Sequence, residues 1–327
     1  HGAIGWAHRP AARAAFPVIR AGDQASMSTI QAIILGIVQG LTEFLPISSS
    51  GHLILVPWLF GWDEPGLAFD AALHLGTLLA VVCYFWREIL AMALAVPIAV
   101  SRPLSLLRTS PAPVKDGVYP VSGGAPIDRE MHARLALLLV IGSIPGGIAG
   151  LLGQSAIDRF FHSETHQTLS IAVVATLLAI FGLLLWFADR SAAHRRQVDD
   201  LAWADAVLIG LAQSLALLPG VSRSGSTLTA GLLRGMRRAD AARFSFLLGM
   251  PIIAAAGGKG LLDALQAGMS GTELTAFAWG ILASGLSGLA AIWVLLRYLQ
   301  RSTTSVFVVY RLLAGLAALG VLVAGFR

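Results

Sequence analysis

Charged residues are scarce in this chain. Of its 327 residues, only 13% are Asp, Glu, Lys or Arg, whereas 56% are hydrophobic, and the mean hydropathy is +0.75. Soluble domains carry about a quarter charged residues, and one hydrophobic core of this size would be large for a soluble domain. The deficit therefore excludes an ordinary soluble domain and predicts an all-α polytopic membrane protein.

Cysteine is nearly absent, and the N-terminal stretch lacks a long apolar core. The single cysteine, Cys83, excludes an intrachain disulfide. A secretory signal peptide needs an apolar core of about 7–15 residues, which residues 1–26 do not contain. We expect residues 1–26 to be a disordered, non-native extension and Met27 to be the natural start. The pI near 10 is interpreted as an excess of cations in cytoplasmic loops, so nucleic acid is not an expected partner.

Long apolar runs are plentiful, and six have the length of about 20 residues that a membrane-spanning helix needs. These six are 67–87, 132–153, 168–188, 240–261, 273–296 and 305–325. Two further apolar regions, 29–61 and 203–236, are interrupted by "FLPISSSGH" and "LLPGVSRSGS". Proline, glycine and serine at such a break would leave backbone groups unpaired in lipid. Each region therefore predicts a re-entrant pair of half-helices that meet at a polar turn inside the protein; a single kinked span is the alternative.

The two interrupted regions resemble each other. At an offset of 174 residues, six of the sixteen positions from 36 to 51 are identical, including Gln39 with Gln213 and Ser48 with Ser222. Three predicted spans follow each region. Because a re-entrant pair returns to its own side and three spans cross to the other, the second half begins on the opposite face. The sequence thus predicts an inverted-topology repeat, with residues 27–200 and 201–327 as its halves.

Cationic side chains fall mostly on one predicted side of the membrane. After Met27, fifteen lie in loops and span ends on the side of loop 88–131, and three, Arg159, Lys259 and Arg327, lie on the other. By the positive-inside rule, the side of loop 88–131 is the cytoplasm. We therefore expect both termini to face the outside. Arg311, near the cytoplasmic end of its span, is expected to extend its charge to the interface.

The first break carries residues that are unusual for a membrane interior. Gln39 and Glu43 are four residues apart and share a helix face, and a carboxylate in a membrane is by default a functional candidate. The turn after Pro46 is expected to cap the next half-helix with one of its serines. Three hydroxyls and an imidazole follow: Ser48, Ser49, Ser50 and His52. Three adjacent serines cannot all point at one ligand, so we expect them to have different roles.

The second break adds a positive charge. Arg223 lies in an apolar segment, where a guanidinium needs a carboxylate or a phosphate to receive its donors. Helix N-termini, with their free N–H groups, also favour anions. If the two breaks meet near the midplane, their groups surround a phosphate pocket with a candidate nucleophile and base. The hydroxyls of this break are Ser222, Ser224, Ser226 and Thr227.

Each of these residues also has a structural interpretation. Serines in membrane helices commonly bond to the backbone. His52 could be a satisfied polar residue at a helix end, and Glu43 could form a structural ion pair with Arg223. Their joint occurrence at equivalent breaks favours phosphoryl chemistry.

The motifs "GLTEFLPISSSGHLIL" and "LALLPGVSRSGSTLTAGLLRGMRRADAARFSFLLGMP" resemble the signatures of the bacterial undecaprenyl pyrophosphate phosphatase family, also called bacitracin-resistance proteins. The resemblance runs from about Met27 to the C-terminus, and it includes "FDAALHLGTLLAVV" and "VYRLLAG". It implies six spans plus two re-entrant pairs in the bacterial inner membrane. The implied reaction hydrolyses undecaprenyl pyrophosphate to the monophosphate and phosphate, aided by Mg²⁺ or Ca²⁺. That reaction recycles the lipid carrier of cell-wall glycans and confers bacitracin resistance.

The family motifs match this sequence with two departures: position 39 is Gln rather than Glu, and position 50 is Ser rather than Thr, which keeps the hydroxyl. The catalytic residues implied are Ser49, His52, Glu43 and Arg223, and Glu43 is the expected ligand of the divalent cation. Where some members have a second glutamate this chain has Gln39, which weakens any two-carboxylate metal site. The expected phosphate-binding residues are Ser48, Ser50, Gly51, Ser222, Ser224, Gly225, Thr227 and Gln39.

The mechanism expected from these residues is attack by Ser49, with His52 as base or acid and Glu43 orienting His52, holding the cation, or both. His52 or water are alternative nucleophiles. Asp70 is expected near the outer interface, where it would join the site.

The alternative function is a polyprenyl-phosphate flippase, because inverted repeats with broken helices are typical of transporters. A phosphatidic-acid type of phosphatase is disfavoured because no histidine follows "SRSG" in the second repeat. The expected partners are the polyprenyl substrate and membrane lipids, with homodimerisation left open.

Overall fold

The computed structural model describes residues 27–63, 65–108, 128–161 and 166–325, and these contain helices and turns without a β-strand. The predicted extension, residues 1–26, and most of the loop after α5 lie outside the described residues. The helices are α1 Thr29–Phe44, α2 Ser49–Phe60, α3 Leu67–Tyr84, α4 Trp86–Ser101, α5 Pro103–Arg108, α6 Arg129–Phe161, α7 Gln167–Ser191, α8 Trp203–Ser214, α9 Arg223–Leu233, α10 Arg238–Ala267, α11 Gly271–Leu299 and α12 Ser305–Val323. Short 3₁₀ turns at Val198–Asp200 and Leu215–Leu217 flank α8.

Six of these helices are long and apolar enough to cross a membrane: α3, α6, α7, α10, α11 and α12. All six predicted spans are thereby confirmed as helices, with ends that differ by up to eight residues, at the C-terminal end of α6. Their outer faces carry exposed apolar side chains such as Leu151 and Leu152, which are 90% and 81% exposed. In water such surfaces would be costly, so the protein is a multi-pass membrane protein.

The two interrupted regions each form a pair of helices broken at the predicted place. Helix α1 has 16 residues and α2 has 12, so at 1.5 Å per residue neither reaches the ~30 Å of a bilayer core. A proline disfavours the helical conformation in the residue before it. Leu45, before Pro46, and Leu218, before Pro219, are accordingly both extended. The proline therefore ends the first helix of each pair.

The packing of the helices is reciprocal between the two halves. Helix α1 packs on α11, and its counterpart α8 packs on α6, while α3 packs on α10 and α7 on α12. Equivalent glycines allow the close approach: a Cβ at Gly36 would overlap the Gly280 carbonyl, and one at Gly210 would overlap the Gly142 carbonyl. This arrangement is compatible with the inverted repeat. The re-entrant course of the short helices relative to a bilayer stays a prediction.

Candidate active site

The first turn begins α2 with an unusual backbone conformation. Ser48 is the N-cap residue of α2, and its Oγ accepts a hydrogen bond from the Gly51 N–H at 3.3 Å. Its φ of 77° lies in the left-handed region, which a residue with a Cβ seldom adopts. Such strain costs about 1–3 kcal/mol and is concentrated at functional sites. The turn is therefore held by its surroundings rather than by local preference.

The second turn repeats this geometry. Ser222, at the equivalent position, has a φ of 73° and caps α9 by accepting from the Gly225 N–H at 3.0 Å. The first N–H groups of a helix have no partner within that helix. The N-termini of α2 and α9 thus supply two sets of donors and the positive ends of two helix dipoles.

The two turns touch, which is the condition under which the sequence indicated a shared pocket. The Gly220 N–H donates to Ser48 Oγ at 3.1 Å, and Ser224 Oγ donates to the Leu45 carbonyl at 3.2 Å. Gly220 lies in the second turn and Leu45 in the first. Both helix N-termini are therefore fixed relative to each other by direct hydrogen bonds.

Arg311, on α12, links the two turns by hydrogen bonds to both. Its guanidinium donates to Pro46 O of the first turn at 3.0 Å, and to Gly220 O and Val221 O of the second at 2.8 and 3.1 Å. It also donates to Leu178 O of α7, and the side chain is fully buried. The prediction that Arg311 extends to the interface was wrong. The helix breaks leave carbonyls that need donors inside the protein, and Arg311 provides them.

Glu43 lies at the centre of the site, with 4% of its side chain exposed. Its Oε2 accepts hydrogen bonds from Ser49 Oγ at 2.5 Å and from Gln39 Nε2 at 3.2 Å. Its Oε1 accepts from Arg223 Nη2 at 2.9 Å. His74 Nε2 lies 3.7 Å from Oε2. The structure therefore brings three of the predicted catalytic residues, Ser49, Glu43 and Arg223, into direct contact.

Arg223 reaches Glu43 from the first turn of α9, supported by α10. Its Nη1 donates to the Ser245 carbonyl at 3.2 Å. Its guanidinium lies against Gly249, where a Cβ would overlap it. The ion pair between Glu43 and Arg223 is present, as the structural interpretation of these residues anticipated. In this pair the Arg223 side chain is still 12% exposed.

His52 has different partners from those expected. Its Nδ1 lies 2.7 Å from the Ser48 carbonyl and its Nε2 lies 2.7 Å from the Tyr310 hydroxyl. Both nitrogens are thus held by groups other than Ser49 and Glu43. The pairing in which Glu43 orients His52 is not formed.

Most hydroxyls of the second break already have acceptors or donors within the protein. Thr227 Oγ1 donates to Arg223 O at 2.8 Å and lies 2.5 Å from Ser245 Oγ, while Ser226 Oγ donates to Arg223 O. These bonds support the helix that carries Arg223. Ser50 and Ser49 are partly buried, whereas Ser48 is buried. The phosphate-binding roles of these hydroxyls stay predictions.

Sequence reasoning missed three residues at the site: His74, Tyr310 and Gly249. His74 lies on α3, and its Nδ1 is 2.8 Å from the carbonyl of Asp70, which belongs to the first turn of that helix. A histidine in an apolar span is by default a functional candidate, so the sequence contained a signal for His74. Tyr310 and Gly249 lie within the family motifs quoted above, but their chemistry did not set them apart from their neighbours, because their importance depends on what packs against them.

The oxygen ligands at the site suit a divalent cation that binds together with the substrate. Gln39 Oε1 is buried without a hydrogen-bond partner among the described residues, beside the Glu43 carboxylate. No cluster of three or more His, Cys, Asp or Glu side chains that could hold a metal occurs in the described part of the chain. Mg²⁺ is commonly bound by one or two carboxylates together with substrate phosphates. These residues therefore fit a cation that is held partly by substrate phosphates, and they do not fit a cation whose ligands all come from the protein.

Comparison with known proteins identifies the family of the chain. Residues 32–317 match the family model described as bacitracin resistance protein BacA. The chain is 46% identical over 293 residues to an undecaprenyl-diphosphatase of Thermomicrobium roseum, covering 90% of this chain and 98% of that protein. It is 44% identical over 301 residues to an undecaprenyl-diphosphatase of Moorella thermoacetica, covering 92% and 100% of the two chains. An undecaprenyl-diphosphatase 2 of Stutzerimonas stutzeri is 45% identical over 304 residues, with 91% and 100% coverage. The chain belongs to the bacitracin resistance protein BacA family.

Proposed function

We propose that this protein hydrolyses undecaprenyl pyrophosphate to undecaprenyl phosphate and phosphate, which recycles the lipid carrier of cell-wall glycans and confers bacitracin resistance. The observation that carries the proposal is the hydrogen bond from Ser49 Oγ to Glu43 Oε2, beside Arg223 and two helix N-termini. A hydroxyl on a carboxylate acceptor next to an anion site is the arrangement that nucleophilic phosphoryl transfer needs.

Substrate binding is assigned to the two turns. The diphosphate lies at the N-termini of α2 and α9, where free N–H groups and helix dipoles favour anions. Arg223 neutralises phosphoryl charge with a planar set of donors that suits phosphate. The apolar outer surface of the helices lets the prenyl tail remain in lipid. Charge stabilisation of this kind is the main requirement of phosphoryl transfer.

The chemical step is assigned to Ser49 and Glu43. Ser49 Oγ attacks the terminal phosphorus, its proton passes to Glu43, and the bond from that phosphorus to the bridging oxygen breaks, releasing undecaprenyl phosphate. Glu43 then gives this proton to the departing undecaprenyl phosphate. Water attacks the phosphoserine and gives one proton to Glu43, the bond from Ser49 Oγ to phosphorus breaks, and Glu43 returns the proton to Ser49 Oγ as phosphate leaves. The 2.5 Å hydrogen bond favours Glu43 over His52 as the immediate proton acceptor.

A divalent cation, Mg²⁺ or Ca²⁺, would be held by Glu43 with help from Gln39 Oε1. When bound, it would neutralise charge on the diphosphate. Glu43 is already shared between Ser49 and Arg223. The protein therefore offers a partial site that the substrate phosphates complete.

We further propose that the protein lies in the bacterial inner membrane, with its active site and both termini facing outside. Apart from the charge count, three arginines stack on exposed tryptophans at helix ends of the proposed cytoplasmic side. Tryptophan and arginine together are typical of the membrane interface. The pairs are Arg87 with Trp86, Arg190 with Trp186 and Arg297 with Trp293.

The deciding experiment measures phosphate release from undecaprenyl pyrophosphate by purified protein in detergent, with and without a chelator. Ser49→Ala is the control for contaminating phosphatase. We expect release by the wild type, none above background by the variant, and a loss when the cation is removed. A wild-type protein that binds the lipid but releases no phosphate would exclude the phosphatase and favour the flippase.

A further inference from the structure

The protonation of His52 follows from its two partners. The Ser48 carbonyl only accepts hydrogen bonds, so His52 Nδ1, 2.7 Å away, carries a proton. In a neutral imidazole the other nitrogen is then an acceptor. In that neutral form, Tyr310 donates its hydroxyl proton to His52 Nε2, also 2.7 Å away. The two rings lie nearly parallel, at 15°, with centroids 5.6 Å apart.

The position of Tyr310 is fixed by its neighbour in the chain. Arg311 is fully buried and is bonded to the carbonyls of both turns. Helix α12 therefore cannot slide or rotate without breaking these bonds. Tyr310 presents its hydroxyl to His52 from this fixed helix, while 43% of the tyrosine remains exposed.

We propose that Tyr310 is a positioning residue for His52. Together with the Ser48 carbonyl it selects one tautomer, in which Nε2 is the basic nitrogen, and it holds the ring in one orientation. A hydroxyl on this nitrogen can accept, return or relay a proton, which links His52 to the exposed side of α12. The inference rests on the proposed function, because it assigns His52 a part in that reaction.

The test compares the wild type with Tyr310→Phe, His52→Gln and the double variant, by kcat and KM for undecaprenyl pyrophosphate. Tyr310→Phe keeps the ring contact and removes only the hydroxyl. We expect kcat to fall at least about tenfold, less than the ~10²–10⁴-fold that loss of an acid–base group itself costs. KM should change little, because Tyr310 does not belong to the phosphate-binding turns. Tyr298→Phe is the matched control, since Tyr298 packs on Phe307 away from the site, and it should retain full activity.

Coupling between the two residues separates positioning from general stability. In the His52→Gln background, Tyr310→Phe should cause no further loss, because its effect passes through His52. Full activity of Tyr310→Phe, or an equal loss in both backgrounds, would overturn the inference. If the thermal midpoint of Tyr310→Phe falls, the comparison is made at a temperature where all four proteins are folded. A wild type without phosphate release would reject the proposed function itself, and this inference with it.

Discussion

At the scale of the residue, the three adjacent serines of the first turn have three different environments. Ser48 is buried and caps α2, Ser49 donates to Glu43, and Ser50 is partly buried at the surface of the turn. Three adjacent residues of the same type therefore have different contacts within one turn. The non-equivalence that the sequence predicted for these serines is confirmed at the level of their contacts.

Ser49→Ala should lower the rate of phosphate release at least about a hundredfold, the scale expected for a lost nucleophile. Ser50→Ala is the matched control on the next residue and should cost much less. Initial rates at saturating lipid, with thermal melts of both variants, decide the point. Retention of most activity by Ser49→Ala would remove it as nucleophile and leave His52 or water in that role.

Gly249→Ala should displace the Arg223 guanidinium, because its Cβ would occupy the space that the guanidinium fills. The arginine is a flexible side chain, so we expect a loss of activity of about tenfold or more with little change in stability. Gly258 lies on the same helix, and a Cβ there would meet open space. Gly258→Ala should therefore leave both activity and stability unchanged. Rates and melting curves of the two variants provide the comparison. A fully active Gly249→Ala would show that the position of Arg223 tolerates displacement.

At the scale of the element, each short helix after a break starts from a strained cap. The strain and the hydrogen bonds of the cap act in opposite directions and can be separated by substitution. Ser48→Ala keeps the positive φ and loses the bonds from Gly51 and Gly220, so we expect about 1–3 kcal/mol of destabilisation. Ser48→Gly loses the same bonds but tolerates a positive φ, so it should be the more stable of the two. Thermal melts in detergent measure this order, and a more stable alanine variant would contradict it.

Helix α12 is expected to depend on Arg311 for its docking. Arg311→Met would leave several buried carbonyls of both turns without a donor, at a cost of about 3 kcal/mol or more. Arg301→Met, at an exposed position, is the control and should change stability by less than about 0.5 kcal/mol. Melting temperatures of the two variants are compared. An unchanged midpoint for Arg311→Met would mean that other groups satisfy those carbonyls.

At the scale of the whole molecule, orientation in the membrane is the property most open to direct measurement. Single cysteines at Ser105, on α5, and Gln266, near the end of α10, are placed in a Cys83→Ser background and exposed to an impermeant thiol reagent in intact cells. Both positions are exposed. We expect Gln266→Cys to be labelled and Ser105→Cys to be protected. The reverse pattern would invert the proposed topology.

The sequence alone determined the features that depend on local composition and spacing. Span lengths follow from apolar runs, and the helix ends at Leu45 and Leu218 follow from the prolines after them. The candidates Glu43, Ser49 and Arg223 were recognisable because polar groups in a membrane interior are energetically costly and are therefore functional candidates. Each of these signals lies within a short stretch of chain.

Only the tertiary structure decided which of these groups meet. Ser49 bonds to Glu43 rather than His52, His52 is held by Tyr310, and Arg311 is a buried link between the turns. Tyr310 lies 258 residues from His52 along the chain, and no local pattern encodes a contact over that distance. Such contacts depend on how the two halves pack against each other, because packing sets which buried donor faces which acceptor.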